Sequence, residues 1–133
     1  MGTYLKLFAI ALPTFLAIDL IWLGLVARPF YQSQLGPLMR QEVNWVAALV
    51  FYGIFVVGIV ILAVAPAVRE ESLLQALGLG AVLGLVSYAA YDLTNLATLQ
   101  GFPPTVALVD LVWGTILTGA VSAITYKLWF LIS

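Results

Sequence analysis

The sequence predicts an all-α protein: a four-helix transmembrane bundle with a short interfacial segment between helices 1 and 2. Hydrophobic residues make up 64% of its 133 residues and charged residues only 8%, whereas soluble domains carry about 25% charged residues. The apolar residues also fall into four runs, each long enough for a helix to cross the roughly 30 Å hydrocarbon core of a bilayer. We therefore expect a single integral membrane domain over residues 1–133.

The first apolar run covers about residues 4–27 and contains Pro13, which we expect to kink the helix. Lys6 stands near its start, as a basic residue does in a signal peptide. The run is longer than a signal-peptide hydrophobic region, and no small-residue cleavage pattern follows it. We interpret it as a retained transmembrane helix.

Residues 28–43 form the longest interruption between apolar runs. Pro29 and the pair Gly36-Pro37 argue against one continuous helix there. Four residues of this stretch still recur at helical spacing: Tyr31, Leu35, Leu38 and Met39. A broken helix lying at the membrane surface fits this pattern, and an ordinary loop with a few lipid-contacting residues fits it equally well.

The second run, about residues 45–65, contains no charged residue and is the most lipid-like of the four. We assign it no part in a site. The third run, about residues 73–99, carries Gly80 and Gly84. The fourth run, about residues 105–130, repeats small residues at every fourth position: Gly114, Thr118 and Ser122. Both stripes are typical of faces on which transmembrane helices pack closely.

Composition and charge exclude several classes of function. The chain has neither cysteine nor histidine, which excludes thiolate or histidine metal centres and cysteine nucleophiles. We predict no metal site and no cofactor. The net charge is −1 and there is no basic run, so we expect no nucleic-acid partner.

Four spans place both termini on one side of the membrane. Three basic residues fall on that side (Lys6, Arg69 and Lys127) and two on the other (Arg28 and Arg40). Because basic residues are enriched in cytoplasmic segments, the sequence predicts cytoplasmic termini.

Three aspartates lie within the predicted spans, and all three fall in the same half of the membrane. Asp19 lies just past the middle of the first span, and Asp92 lies roughly 9 Å beyond the centre of the third. Asp110 lies near the start of the fourth span, which runs in the opposite direction. Three clustered carboxylates cannot all stay ionised at low dielectric without cations. They must be protonated and hydrogen-bonded, paired with Arg28 or Arg40, or neutralised by a bound cation.

Aromatic and polar residues accompany these acids. An Asp-x-x-Trp step occurs on two antiparallel helices, as Asp19 with Trp22 and as Asp110 with Trp113, and we expect the two faces to pair. Helical spacing places further polar residues of the third helix on one face. The predicted ligand site contains eight residues, with Asp92 and Asn95 at its centre: Asp19, Trp22, Tyr88, Tyr91, Asp92, Asn95, Asp110 and Trp113.

Several of these motifs resemble those of a bacterial inner-membrane family known as domain of unknown function 2177. They are residues 19–24 (DLIWLG), residues 91–99 (YDLTNLATL) and residues 109–114 (VDLVWG), together with Phe30-Tyr31 and Leu35-Gly36. The resemblance spans nearly the whole chain. It implies a small four-helix protein of the bacterial inner (cytoplasmic) membrane, and it implies no particular activity.

Three hypotheses for function follow. The acids and aromatic rings suit a small cationic or lipid-like ligand, which the intramembrane cluster would bind either alone or as a step in transport. Alternatively, the polar face and the small-residue stripes complete an assembly, as a homodimer or with another membrane protein. A lipid-modifying enzyme with an aspartate as general acid or base is less favoured, because the chain has no histidine or cysteine; we predict no catalytic residue. Membrane lipid is a partner in every case.

Overall fold

The computed structural model describes residues 2–36 and 44–133, except the side chain of Val26. The described residues are helical apart from short turns. Within residues 2–36 and 44–133, six α-helices follow one another: α1 (Gly2–Ile21), α2 (Arg28–Leu35), α3 (Trp45–Ile59), α4 (Ala65–Arg69), α5 (Leu73–Thr98) and α6 (Pro104–Ile132). The all-α prediction is confirmed.

In the described part of the chain, four helical stretches are long and apolar enough to cross a membrane: Gly2–Leu25, Trp45–Arg69, Leu73–Thr98 and Pro104–Ile132. Local sequence explains where several of them begin. The Asn44 side chain accepts a hydrogen bond from the backbone N–H of Ala47 at 3.2 Å, and Ser72 caps α5 in the same way. Pro104 opens α6 at a position where no N–H is required.

Two π-helical segments join α-helices, and each precedes a proline. Trp22–Ala27 connects α1 to α2 ahead of Pro29, and Val60–Val64 connects α3 to α4 ahead of Pro66. A proline ring clashes with the carbonyl four residues earlier and lacks an N–H. The wider π turn accommodates both defects.

The helical path therefore continues through Pro29, where the sequence suggests an interruption. It ends at Leu35, and Gly36 follows with a φ of 52°, a conformation that glycine adopts without strain. α2 is thus the short helix between the first and second spans. Leu38, Met39 and Arg40, for which the sequence made predictions, lie outside the described residues. Pro13 lies within α1, which is continuous through it.

α5 and α6 form an antiparallel hairpin with very close backbone contact. A Cβ atom at Gly84 would lie 2.7 Å from Thr118 Oγ1 and 2.8 Å from the carbonyl carbon of Gly114. A Cβ atom at Gly80 would lie 2.6 Å from Thr118 O and 2.7 Å from the Cβ of Ser122. The two small-residue stripes identified in the sequence therefore pack against each other within one chain.

The first span completes the bundle by packing against the second and fourth. Its buried residues Leu7, Ala11 and Phe15 belong to the main apolar cluster. The cluster continues into the second span and α6 through Phe55, Val56, Ile59, Val60, Leu117 and Val121. This packing brings the ends of α1, α5 and α6 that carry the aspartates to the same end of the bundle.

Candidate functional site

The three aspartates are buried near one another, as the sequence predicts. Asp19 is 6% exposed, Asp92 is not exposed and Asp110 is 8% exposed. The side chains of Asp92 and Asp110 are direct neighbours. A bundle of antiparallel helices has thus gathered three acidic groups in an interior where charge is costly.

The two Asp-x-x-Trp steps meet in the structure. The indole rings of Trp22 and Trp113 stack with centroids 4.3 Å apart and planes at 9°. Trp113 Nε1 also donates a hydrogen bond to Asp19 Oδ1 at 3.3 Å. The Trp113 side chain therefore pairs with both members of the opposite motif, and it holds one carboxylate in place.

Tyr31 is a site residue that the sequence analysis did not assign. Its hydroxyl donates a hydrogen bond to Asp110 Oδ1. Burial, followed by the contact with Asp110, raises the pKa of Tyr31, so its hydroxyl remains a proton donor. The recurrence of Tyr31 and Leu35 at helical spacing was the available signal, but the pattern alone did not show that α2 packs onto the bundle.

The position of α2 follows from a bend in the first helix. Tyr31 lies twelve residues after Asp19, which is roughly 18 Å along a straight helix. Tyr31 bonds to Asp110 and Asp19 bonds to Trp113, and these two partners are less than one turn apart on α6. A straight helix would carry Tyr31 away from the acids, so the π-helical segment must redirect the chain. Side chains of α2 consequently pack against Phe102, Val106 and Ala107 at the start of α6.

Tyr52 is a second residue that the sequence analysis left out of the site. It belongs to the apolar second span, yet its hydroxyl lies beside the Asp19 carboxylate. Its ring packs edge to face against Phe15, with centroids 5.5 Å apart. A lone tyrosine in an apolar run shows no periodic signal, and only the packing of α1 on α3 assigns it to Asp19.

These side chains surround a cavity of about 330 Å³, here called the acidic cavity. Every span and α2 contribute to its wall. Six of the eight predicted residues line it: Asp19, Trp22, Tyr88, Tyr91, Asp110 and Trp113. Tyr31, Phe51, Tyr52 and Phe102 complete an aromatic lining. Its volume lies at the lower end of the range typical of small-molecule sites.

The remaining two predicted residues, Asp92 and Asn95, do not line the acidic cavity. Asp92 is fully buried behind Asp110, and neither of its carboxyl oxygens has a hydrogen-bond donor among the described residues. Asn95 is half-buried one turn further along α5. The cavity is therefore centred on Asp19 and Asp110. Tyr91 contributes to its rim, since 62% of its surface is exposed.

Glycine also shapes this cavity. A Cβ atom at Gly114 would lie 2.8 Å from the Cδ2 atom of Tyr88. The Tyr88 ring thus lies flat on the backbone of α6, and it extends from there to the acidic cavity. A larger residue at position 114 would push this ring away.

The acids of the cavity lack a basic partner among the described residues. No Lys or Arg from residues 2–36 or 44–133 lines it. Arg28 is exposed, and Arg40 lies outside the described ranges. Within those ranges, no cluster of His, Cys, Asp and Glu has the geometry to hold a metal ion. No ion pair with a described basic residue therefore neutralises the acids that line the cavity.

Comparison with known proteins gives one match. The family model described as "Predicted membrane protein (DUF2177)" matches residues 4–127, so the chain belongs to that family. This confirms the resemblance drawn from the sequence motifs, and the description agrees with the four spans. No curated protein and no solved structure matches the chain.

Proposed function

We propose that this member of the DUF2177 family binds a small organic cation, or the cationic head of a lipid-like molecule, in the acidic cavity. One observation carries the proposal: Asp19 and Asp110 line an aromatic-walled cavity that contains no basic residue from the described chain. A ligand with a positive charge would supply the missing counter-charge. Tryptophan and tyrosine rings are the preferred surroundings for quaternary ammonium groups.

The hydrogen bonds around the two acids support this chemistry. Trp113 Nε1 and the Tyr31 hydroxyl each donate to one carboxylate, Asp19 and Asp110 respectively. Donors of this kind stabilise an ionised carboxylate and hold its orientation. A carboxylate has about four acceptor positions, so each acid keeps acceptor capacity beyond these donors and beyond the Tyr52 hydroxyl that lies beside Asp19. Two oriented carboxylates with spare acceptor capacity suit a cation that binds between them.

Binding of tetramethylammonium to the purified protein in a mild detergent tests the proposal. Because Trp22 and Trp113 line the cavity, we expect saturable quenching of tryptophan fluorescence. Asp19→Asn and Asp110→Asn should each weaken binding by about tenfold or more, as expected for loss of a buried charge partner. Glu70→Gln, which removes an exposed acid outside the cavity, is the matched control and should bind normally.

Two results would overturn the proposal. One is the absence of saturable binding by the unaltered protein for the whole tetraalkylammonium series. The other is equal affinity in the two Asp→Asn variants and in Glu70→Gln. If the cation binds, counterflow of the labelled cation in proteoliposomes distinguishes transport, which produces counterflow, from binding alone, which does not.

The structure weakens the basis of the assembly hypothesis. That hypothesis relied on the polar face and on the small-residue stripes of α5 and α6 as free contact faces, and these stripes occupy each other within the chain. No specific observation favours the enzyme hypothesis. Cation binding is therefore the function that the geometry supports best.

We further propose that the protein resides in the bacterial inner membrane with both termini in the cytoplasm. The support is the excess of basic residues on the side of the termini: Lys6, Arg69 and Lys127. A green fluorescent protein fused to the C-terminus should fluoresce, and an alkaline phosphatase fused there should be inactive. The reverse pair of results would invert the orientation and leave the fold unaffected.

A further inference from the structure

We propose that the ligand is an amphiphile whose hydrocarbon chain leaves the acidic cavity past the Trp22–Trp113 stack and lies in a lipid-facing groove between α1 and α6. This inference rests on the proposed function, because it assigns the charged head of the same ligand to the acidic cavity. It adds the class of molecule and the path by which that molecule reaches the bilayer.

The groove is a second cavity of about 270 Å³, lined by Ile18, Ile21, Trp22 and Trp113. Apart from the two indole N–H groups, these side chains are apolar. Ile21 is 58% exposed and lies in the first span, so this wall of the groove faces the hydrocarbon of the bilayer. An alkyl chain is the occupant that matches such a surface.

The groove and the acidic cavity share a wall. Trp22 and Trp113 line both, and their stacked rings separate the acids from the isoleucines. Helical geometry explains the division. At 3.6 residues per turn, Asp19 lies roughly 60° to one side of Trp22 and Ile18 roughly 40° to the other. A single molecule that passes the stack would place its charge and its chain in surroundings of matching polarity.

An unused hydrogen-bond donor marks the junction of the two cavities. The Nε1 atom of Trp22 is buried and donates no hydrogen bond of normal geometry to a described residue, although the Tyr31 hydroxyl lies beside it. Buried indole N–H groups normally find a partner. An ester or other oxygen between the charge and the chain of the ligand would supply the acceptor at this point. The site therefore fits a cationic amphiphile with a polar linkage, and a bare organic cation would leave both the groove and this donor unused.

Two choline esters test the inference: acetylcholine and lauroylcholine. They share a trimethylammonium head and an ester, and they differ only in the length of the chain. Binding to the protein in lipid nanodiscs is counted by native mass spectrometry at matched lipid content, with empty nanodiscs to correct for partitioning. We expect lauroylcholine to bind more tightly than acetylcholine after this correction.

Ile21→Trp fills the groove and should weaken lauroylcholine binding by about tenfold, while acetylcholine binding stays unchanged. The retained acetylcholine binding also shows that the variant folds. Ile54→Trp is the matched control, since Ile54 is 68% exposed on the second span and lines neither cavity. Asp110→Asn should weaken the binding of both esters.

The outcomes separate the two proposals. This inference fails if Ile21→Trp and Ile54→Trp weaken lauroylcholine binding equally, or if both esters bind equally well to the unaltered protein. In either case the groove holds only ordinary bilayer chains, and the proposal of cation binding stands. If neither ester binds to the unaltered protein, the proposed function fails and the inference fails with it.

Discussion

Replacing Gly84 with alanine is expected to lower the free energy of unfolding by about 1–3 kcal/mol or more, the usual cost of overpacking a close contact. The new methyl group would lie 2.7 Å from Thr118 Oγ1 and 2.8 Å from the carbonyl carbon of Gly114. A flexible side chain could move aside, but the α6 backbone cannot move without separating the hairpin. We therefore expect α5 and α6 to be forced apart where they are closest.

Gly78→Ala is the matched control, because Gly78 lies on the same helix and a Cβ atom there would have no neighbour within 4 Å. Alanine favours helix by up to about 1 kcal/mol relative to glycine, so this variant should be as stable as the unaltered protein or slightly more so. Unfolding in mixed micelles with increasing sodium dodecyl sulfate, followed by circular dichroism, measures both. Equal stability of the two variants would show that the hairpin is not closely packed at Gly84.

Replacing Trp113 with alanine is expected to lower the free energy of unfolding by about 2–5 kcal/mol, as for other large-to-small changes of packed tryptophans. The change removes the ring that stacks on Trp22 at 4.3 Å and the N–H that donates to Asp19. It also deletes the wall between the acidic cavity and the groove. The loss thus combines packing, an aromatic pair and a buried hydrogen bond.

Trp113→Phe separates these contributions in part, because phenylalanine keeps one aromatic ring against Trp22 but removes the donor to Asp19 and part of the indole packing surface. We expect a loss of about 1.5–3 kcal/mol, the range for a hydrogen bond to a charged group. The same detergent titration ranks the two variants. Unaltered stability in Trp113→Ala would contradict the described packing, and equal losses in both variants would show that the single aromatic ring kept by phenylalanine contributes nothing measurable.

The sequence was sufficient to predict the fold class and the grouping of the acids. Low charge and four long apolar runs require membrane spans, because the hydrocarbon core sets the length of a helix and excludes unpaired polar groups. Alternating helix direction then determines which ends meet, so the positions of Asp19, Asp92 and Asp110 along the chain are enough to place them together. The small-residue stripes also predicted the close packing faces, since close helix packing requires small side chains at four-residue spacing.

The sequence was not sufficient to predict which side chains share the cavity. Tyr31 reaches Asp110 because a π-helical segment redirects the chain before Pro29, whereas the rule for proline suggested an interruption. Tyr52 reaches Asp19 because of how α3 is rotated against α1. The spacing of residues within one helix predicts neither the direction in which that helix bends nor the rotation of the helix packed against it.

By itself, then, the sequence determined that this protein lies in a membrane, how many spans it has and at which end of the bundle its acids lie. Each of these features depends on composition and on distance along a helix. The tertiary structure decided that Asp19 and Asp110 face the cavity while Asp92 lies behind Asp110. It also formed a second, apolar cavity that shares Trp22 and Trp113 with the first. These features depend on helix rotation and on contacts between segments, which form only when the four spans pack together.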